Sequence, residues 1–307
     1  MSTMREHAAD YLAMRRQLGF KLTTFGQKLS SFVDYLDEHG LTVITTDAAV
    51  AWATSTPRST DQVHWSRRLM VVRIFARHLA VLEPATEIPP ADILIHHYRR
   101  VTPHLYTPDE IAGLLTAADD LRPPTRAVTY RTLICLLSVT GLRAGEACGL
   151  DRADVDLDNG VLTISDTKFG KTRQVPLHPS TVTALHSYLQ NSDLSCGTTP
   201  ALFVSTRGTR LDHGNIPHTF ARLVTAAGIT VGHGQRRPRL HDFRHSFATA
   251  TVLDWYRNGV DVQARLPSLS TYLGHADPKS TYWYLTDSPE LLALAATRLE
   301  HALEARP

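Results

Sequence analysis

The sequence predicts a mainly α fold in two domains, the second carrying one small antiparallel β-sheet. Three observations lead there. The first hundred residues read as helices broken by polar turns, a proline-rich stretch follows, and strand-like alternation is concentrated between Asp154 and Leu177. At 307 residues the chain also exceeds what one hydrophobic core usually organises. An apolar fraction of 43% with 20% charged residues is ordinary globular composition, which argues against disorder, collagen-like repeats and coiled coil.

The N-terminal domain is expected to be all-helical, over residues 1–100 including its linker. Its helices are HAADYLAMRRQLG, FGQKLSSFVDYLDEHG closing on Gly40, TTDAAVAWATS and DQVHWSRRLMVVRIFARHLAVL. In the last of these Leu69, Val72, Phe75, Ala76 and Leu79 recur at helical spacing, so one face packs on a core while Arg67, Arg68, Arg73 and Arg77 occupy the rest. The segment EPATEIPPADILIHHYRRVTPHLYTPDE has five prolines and no helical period, which suits an extended linker, and the boundary is placed near residue 100.

The second domain, residues 101–307, opens at Thr107-Pro108-Asp109-Glu110 with the signature of a capped helix start. IAGLLTAADDL and TRAVTYRTLICLLSVTG continue as helices, Gly141 ends the second, and RAGEACGL begins a short third. VDLD, a turn at Asn159-Gly160, VLTIS, a Lys-Phe-Gly-Lys turn and TRQVPL then predict three antiparallel strands. Helices return at STVTALHSYLQ, HTFARLVTAAG, HDFRHSFATATVLDWYRNG, LPSLSTYLGH and STYWYL, and the chain ends in an amphipathic tail, SPELLALAATRLEHALEA.

Several classes are set aside. Apolar runs such as Leu133 to Leu137 fall far short of the roughly 20 residues of a membrane span, and the opening MSTMREHAAD has no apolar signal core, so neither insertion nor secretion is expected. Cys135, Cys148 and Cys196 form no CxxC pair and are odd in number, which suggests neither a disulfide framework nor a cysteine zinc site and fits a reducing, cytoplasmic setting. The formal net charge of +2 is nearly silent about partners. Its distribution says more: besides the early arginines, Arg236, Arg237, Arg239 and Arg244 cluster late, opposed locally by Asp242.

The chemistry-bearing residues are dispersed. Arg143 stands in TGLRAGEACGL, Lys168 in TKFGKTRQVPL, His241 and Arg244 in HDFRHSFAT, and His275 and Tyr284 in LGHADPKSTYWYL. Each block is weak alone. In this order, from about Thr107 through Tyr284, they resemble the phage-integrase or tyrosine recombinase family, in its Xer-like and transposon-type members. The resemblance implies the DNA breaking and rejoining fold, with an N-terminal helical domain that binds core DNA and a catalytic domain bearing the small sheet. It also implies site-specific recombination, integration or transposition through a 3′-phosphotyrosyl intermediate.

The residue types suit that chemistry. Arg143 follows a Thr-Gly break and opens a helix, so its guanidinium and the helix N-terminal amides can hold one phosphate. Arg244 lies three residues after His241 on one helix face. Two guanidinium forks can bind the non-bridging oxygens of a phosphodiester and stabilise the charge of a pentavalent transition state. The resemblance makes Lys168 the general acid that protonates the departing 5′ oxygen, with Lys171 its competitor in the same turn, and Tyr284 the nucleophile. Tyr282 is the neighbouring alternative and Tyr272 a further one. Residues two apart on a helix point about 200° from one another, so Tyr282 and Tyr284 cannot both face a site. His241 and His275 are expected to hydrogen-bond the scissile phosphate, one of them assisting proton transfer. Glu146 reads as an orienting carboxylate.

Arg67, Arg68, Arg73, Arg77, Lys171 and Arg173 are the candidate DNA contacts. The partner implied is double-stranded DNA carrying recombination sites, bound by a homotetramer whose tail helix docks on the neighbouring protomer; a requirement for partner recombinases is left open. Because one phosphoester replaces another of similar energy, neither a cofactor nor a metal is expected. Two alternatives stand beside this: a DNA-binding regulator with a relict catalytic site, and a zinc-dependent hydrolase using His241 and His245 at i and i+4.

Overall fold

Local cap chemistry and one apolar stripe per helix build the first part of the chain. A computed structural model describes residues 3–56, 61–95, 102–165, 172–191, 199–232, 236–275, 277, 281–282, 290–291 and 293. Thr3 opens α1 (Met4–Gln17) with a capping box to Glu6, α2 (Thr23–Glu38) follows, and Thr45 caps α3 (Thr46–Thr54) and Asp61 caps α4 (Gln62–Leu79). Phe32, Leu36, Trp52, Leu69, Val72, Phe75 and Leu79 bury into one shared core, so the apolar stripe read from α4 is the face that packs.

Two of the early arginines turn inward. The Arg68 guanidinium lies 3.8 Å over the Trp52 ring and donates Nη2 to the Trp52 carbonyl at 2.6 Å. Arg73 donates Nε to Pro89 O at 2.8 Å and Nη2 to Pro90 O at 2.6 Å. Arg67 and Arg77 are exposed. Of the four arginines expected to contact DNA, Arg68 and Arg73 thus bind carbonyls of their own unit here, and desolvation lowers the pKa of both. The expected linker over residues 83–110 is likewise tied down at both ends. Glu87 accepts Thr46 N at 2.7 Å and donates its own N to Ile44 O at 2.8 Å, and Ile93 and Leu94 pack on the first core. At the other end Tyr106 stacks on Phe243 with ring centroids 4.3 Å apart. Backbone contacts divide the chain into two compact units, Met1–Arg100 and Val101–Pro307.

In the second unit Thr107 and Glu110 form the expected capping box of α5 (Pro108–Asp119). Helix α6 (Pro124–Thr140) stops at Gly141, whose φ of 61° is left-handed and where a Cβ would lie 2.6 Å from Phe247 Cδ1, so glycine is required twice over. The short α7 (Ala144–Gly149) leads to β1 (Val155–Asp156), β2 (Val161–Ile164) and β3 (Arg173–Pro176), an antiparallel sheet in the order β1-β2-β3. Leu162 pairs with Val175 and Ile164 with Arg173, and period-two alternation sends Leu162, Ile164 and Val175 into the core. Helices α8 (Pro179–Leu189), α9 (Ile216–Ala226), α10 (Asp242–Arg257) and α11 (Val262–Leu273) complete the described order.

Helix α11 begins four residues earlier than the proline suggested, at Val262 after an Asp261 cap, and keeps Pro267 in its interior. Burial of Val262, Leu266, Leu269 and Leu273 in a cluster with α10 residues Ala248 and Val252 outweighs the lost donor. Leu291 is buried in the same cluster and Glu290 pairs with Arg257, so the described start of the tail packs on its own unit. Most of the helices expected over 280–285 and 288–305 lies outside the described residues. Among the described residues Cys135 and Cys148 are free thiols, both pushed up by burial, Cys148 to about 12, and no helix is long and apolar enough to cross a membrane.

Candidate active site

The end of α11 organises the site. Its chain reverses at Gly274, φ 68°, and a helix end leaves its last carbonyls without intrahelical donors. Three consecutive carbonyls there take guanidinium groups from three distant segments. Arg173 Nε donates to Tyr272 O at 2.9 Å, Arg244 Nη2 to Leu273 O at 2.5 Å, and Arg143 Nη2 to Gly274 O at 3.1 Å. The partial negative charge of a helix C-terminus favours this gathering of cations. Arg244 also donates Nη1 to Gly141 O at 3.0 Å, so it bridges the ends of α6 and α11.

Glu146 ties two of these arginines together. Its carboxylate accepts Arg143 Nη1 at 2.6 Å and Arg143 N at 3.0 Å, and a two-pronged pair from Arg173 at 3.1 and 2.8 Å. Burial alone pushes this carboxyl up; the Arg173 and Arg143 hydrogen bonds overcome it and bring its pKa to about 2. Glu146 is therefore an anion that orients, as its spacing from Arg143 suggested. Arg143, at the N-cap of α7, keeps 36% of its side chain exposed, whereas Arg244 is 1% exposed. The far end of α7 is pinned by Arg210, which donates Nη1 to the carbonyls of Cys148, Gly149 and Leu150 and pairs with Asp151.

His275 follows directly. Its backbone N donates to Ser270 O at 3.0 Å and its Nδ1 meets Thr281 Oγ1 at 2.8 Å. Desolvation first, then Arg244, Arg143 and Arg173, lower its pKa to about 4 against the opposing pull of Glu146. His241 precedes α10. It is exposed, yet the protein packed around its ring and then Arg244, Arg239 and Arg143 push its pKa down, with Asp242 pushing back. Both imidazoles are thus neutral at pH 7, each with one N–H and one lone pair. Asp242, for which the sequence suggested no role, is buried and accepts Arg239 N at 2.8 Å and Arg236 Nη2 at 3.3 Å, fixing the turn that presents His241.

The structure therefore gathers Arg143, Arg244 and His275 at one helix end and places His241 within the electrostatic reach of both arginines. Lys168, Lys171 and Tyr284 lie outside the described residues. Tyr272 stacks on Phe247 with centroids 5.6 Å apart and is pushed up to about 12 by burial, which makes it a packing residue; Tyr282 is 53% exposed. Arg173, expected as a DNA contact, has 12% of its side chain exposed and directs its donors to Glu146 and Tyr272. The signal was present in the strand parity, because residue 173 shares a face with the inward Val175. Thr281 and Arg210 gave no comparable signal, since their partners are set by tertiary packing. His241 and His245 have rings 5.3 Å apart, with His245 lowered to about 3 by desolvation first and then by His241 and the arginines. Among the described residues no group of three or more His, Cys, Asp or Glu side chains that could hold a metal is present, so the zinc-hydrolase alternative finds no third ligand there.

This clamp of distant arginines and histidines on a mainly helical, two-unit scaffold belongs to a recognised class. Residues 105–290 match the model of the phage integrase family. The chain is 45% identical over its whole length to a putative integrase/recombinase, y4rB, of Sinorhizobium fredii (strain NBRC 101917 / NGR234), 100% of which is covered. It is 30% identical to tyrosine recombinase XerD of Mycobacterium tuberculosis (strain ATCC 25618 / H37Rv), with 90% of each chain covered. Two solved structures have a similar fold: the Tn1549 transposon integrase in complex with transposon right end DNA, with a TM-score of 0.66 at 16% identity over 98% of this chain and 99% of that one, and XerH recombinase bound to a palindromic difH substrate, with a TM-score of 0.63 at 20% identity over 91% of this chain and 80% of that one. The chain belongs to the phage integrase family and is a site-specific recombinase of the tyrosine type.

Proposed function

We propose that the protein cuts and rejoins duplex DNA at a recombination site through Tyr284. The phenolic oxygen attacks the phosphorus, the P–O5′ bond breaks, and a 3′-phosphotyrosyl link and a free 5′-hydroxyl result. Lys168 gives the departing 5′ oxygen its proton, and a neutral imidazole, His241 or His275, takes the proton of the phenol. Arg143, the accessible guanidinium, grips a non-bridging oxygen. Arg244 acts from beneath, holding the ends of α6 and α11 and lending its charge to the pentavalent transition state. The reverse attack by a 5′-hydroxyl restores the phosphodiester, so the energy of the bond is conserved and neither ATP nor a metal enters the balance.

The observation that carries this reading is the convergence of Arg143 and Arg244 on adjacent carbonyls beside His275. In the first unit the exposed Arg67 and Arg77 are the phosphate contacts we assign. The active assembly is a homotetramer on two DNA sites in the cytoplasm. It forms when the tail, whose Leu291 packs on its own unit here, exchanges between protomers.

A pool of nicked duplexes of randomised core sequence, incubated with the protein in chelator, tests the chemistry. A denaturant-resistant protein–DNA adduct is expected, lost in Tyr284→Phe while binding persists. An adduct that survives Tyr284→Phe moves the nucleophile to Tyr282, no adduct in any arm favours the regulator with a relict site, and adduct formation that requires added metal contradicts the mechanism.

A further inference from the structure

Lys168 lies in the chain between β2 and β3, whose last pair on that side is Ile164 opposite Arg173. Arg173 is also the residue that joins β3 to the arginine site. Its Nε holds the Tyr272 carbonyl at 2.9 Å, and its two terminal nitrogens hold Glu146, which in turn holds Arg143. It is closely seated: a Cβ on Gly274 would come within 2.8 Å of Arg173 Nη1. A planar five-donor fork satisfies three acceptors in fixed directions, which an ammonium cannot do. The first residue of β3 is thereby tied through Glu146 to Arg143.

We propose that Arg173 is a positioning residue that sets the Lys168-bearing segment in register with Arg143, so that its loss impairs protonation of the leaving oxygen more than attack by the nucleophile. The proposal rests on the reading of Lys168 as general acid. A direct phosphate contact is the competing role, and the inward direction of the Arg173 donors opposes it.

The test compares two nicked duplexes of a sequence recovered from the adducts of that randomised pool, one with the ordinary 5′-bridging oxygen at the scissile phosphate and one with 5′-bridging sulfur. A thiolate departs without protonation, so the sulfur substrate bypasses the general acid. Single-turnover adduct formation is measured for wild type, Arg173→Lys, Arg173→Gln and Lys168→Ala, and the sulfur-to-oxygen rate ratio is taken within each protein, which cancels any difference in folded fraction. The ratio is expected to rise at least about ten-fold over wild type in both Arg173 variants and further in Lys168→Ala, with DNA affinity unchanged. A wild-type ratio in the Arg173 variants beside a raised ratio in Lys168→Ala overturns this proposal alone. A wild-type ratio in Lys168→Ala overturns the general-acid reading and the proposal with it. Weakened DNA binding with equal loss on both substrates makes Arg173 a phosphate contact instead.

Discussion

The arginines of the two units meet the same need in different ways. In the first unit Arg68 satisfies a carbonyl in the last turn of α3, at Trp52, and Arg73 satisfies two of irregular chain, at Pro89 and Pro90, so the two act as separate pins. In the second, Arg143, Arg173 and Arg244 satisfy three successive carbonyls of one helix end. A carbonyl with acceptor capacity left over attracts a guanidinium in both places. Where such carbonyls are scattered the result is stability; where they are adjacent the same bonds bring cations together, at the place proposed above for a phosphodiester. Arg67 and Arg77, which are exposed, are left to act in solvent.

The contrast predicts that arginine deletions fall into separable kinds. The largest effect is expected in the gathered set: Arg143→Ala should slow adduct formation by about 10²–10³-fold, as loss of a transition-state donor does, whereas Arg77→Ala should leave the rate at saturating DNA unchanged and only reduce the salt dependence of binding. Equal losses in single-turnover assays would erase the distinction. Next comes the scaffold of the gathered set. Gly141→Ala forces a left-handed φ on alanine and a Cβ onto Phe247, and should cost about 2–3 kcal/mol in urea unfolding. Smaller again, Arg73→Ala should cost about 1–2 kcal/mol through the two prolyl carbonyls it releases while sparing the chemistry of bound DNA.

A separate expected effect is on pH. Histidines His275 and His245 titrate in the folded protein at about 4 and about 3, below the ordinary 6.5 of the unfolded chain. Their contribution is therefore fully present above pH 6.5 and is lost as pH falls toward 4, because the unfolded state takes up protons that the folded state refuses. Urea midpoints should fall between pH 7 and pH 4.5, and the fall should shrink in His275→Gln. A midpoint that rises over that interval would reverse the assignment.

What the sequence made legible was local. The Thr107 and Glu110 capping box, the Gly141 stop and the three-strand pattern are written in neighbouring residues, and the described structure contains each. The start of α11 was hidden because Pro267 reads as a boundary, while the burial that overrides it depends on contacts with α10. Within the site, Arg143, Arg244 and His275 were legible through block order and the family resemblance. The burial of Arg244 and the inward turn of Arg68 and Arg73 were not, since their acceptors lie 16 or more residues away. Arg173 falls between these cases: strand parity placed it inward, but its basic neighbours suggested a surface role.

The central claim is that guanidinium groups from distant segments act as one unit on one phosphate. A double-mutant cycle of adduct-formation rates in Arg143→Lys, Arg244→Lys and the double variant tests it most directly. Groups that act as a unit give a double variant scarcely slower than the worse single variant. Losses that multiply, as they do for independent sites, would contradict the account.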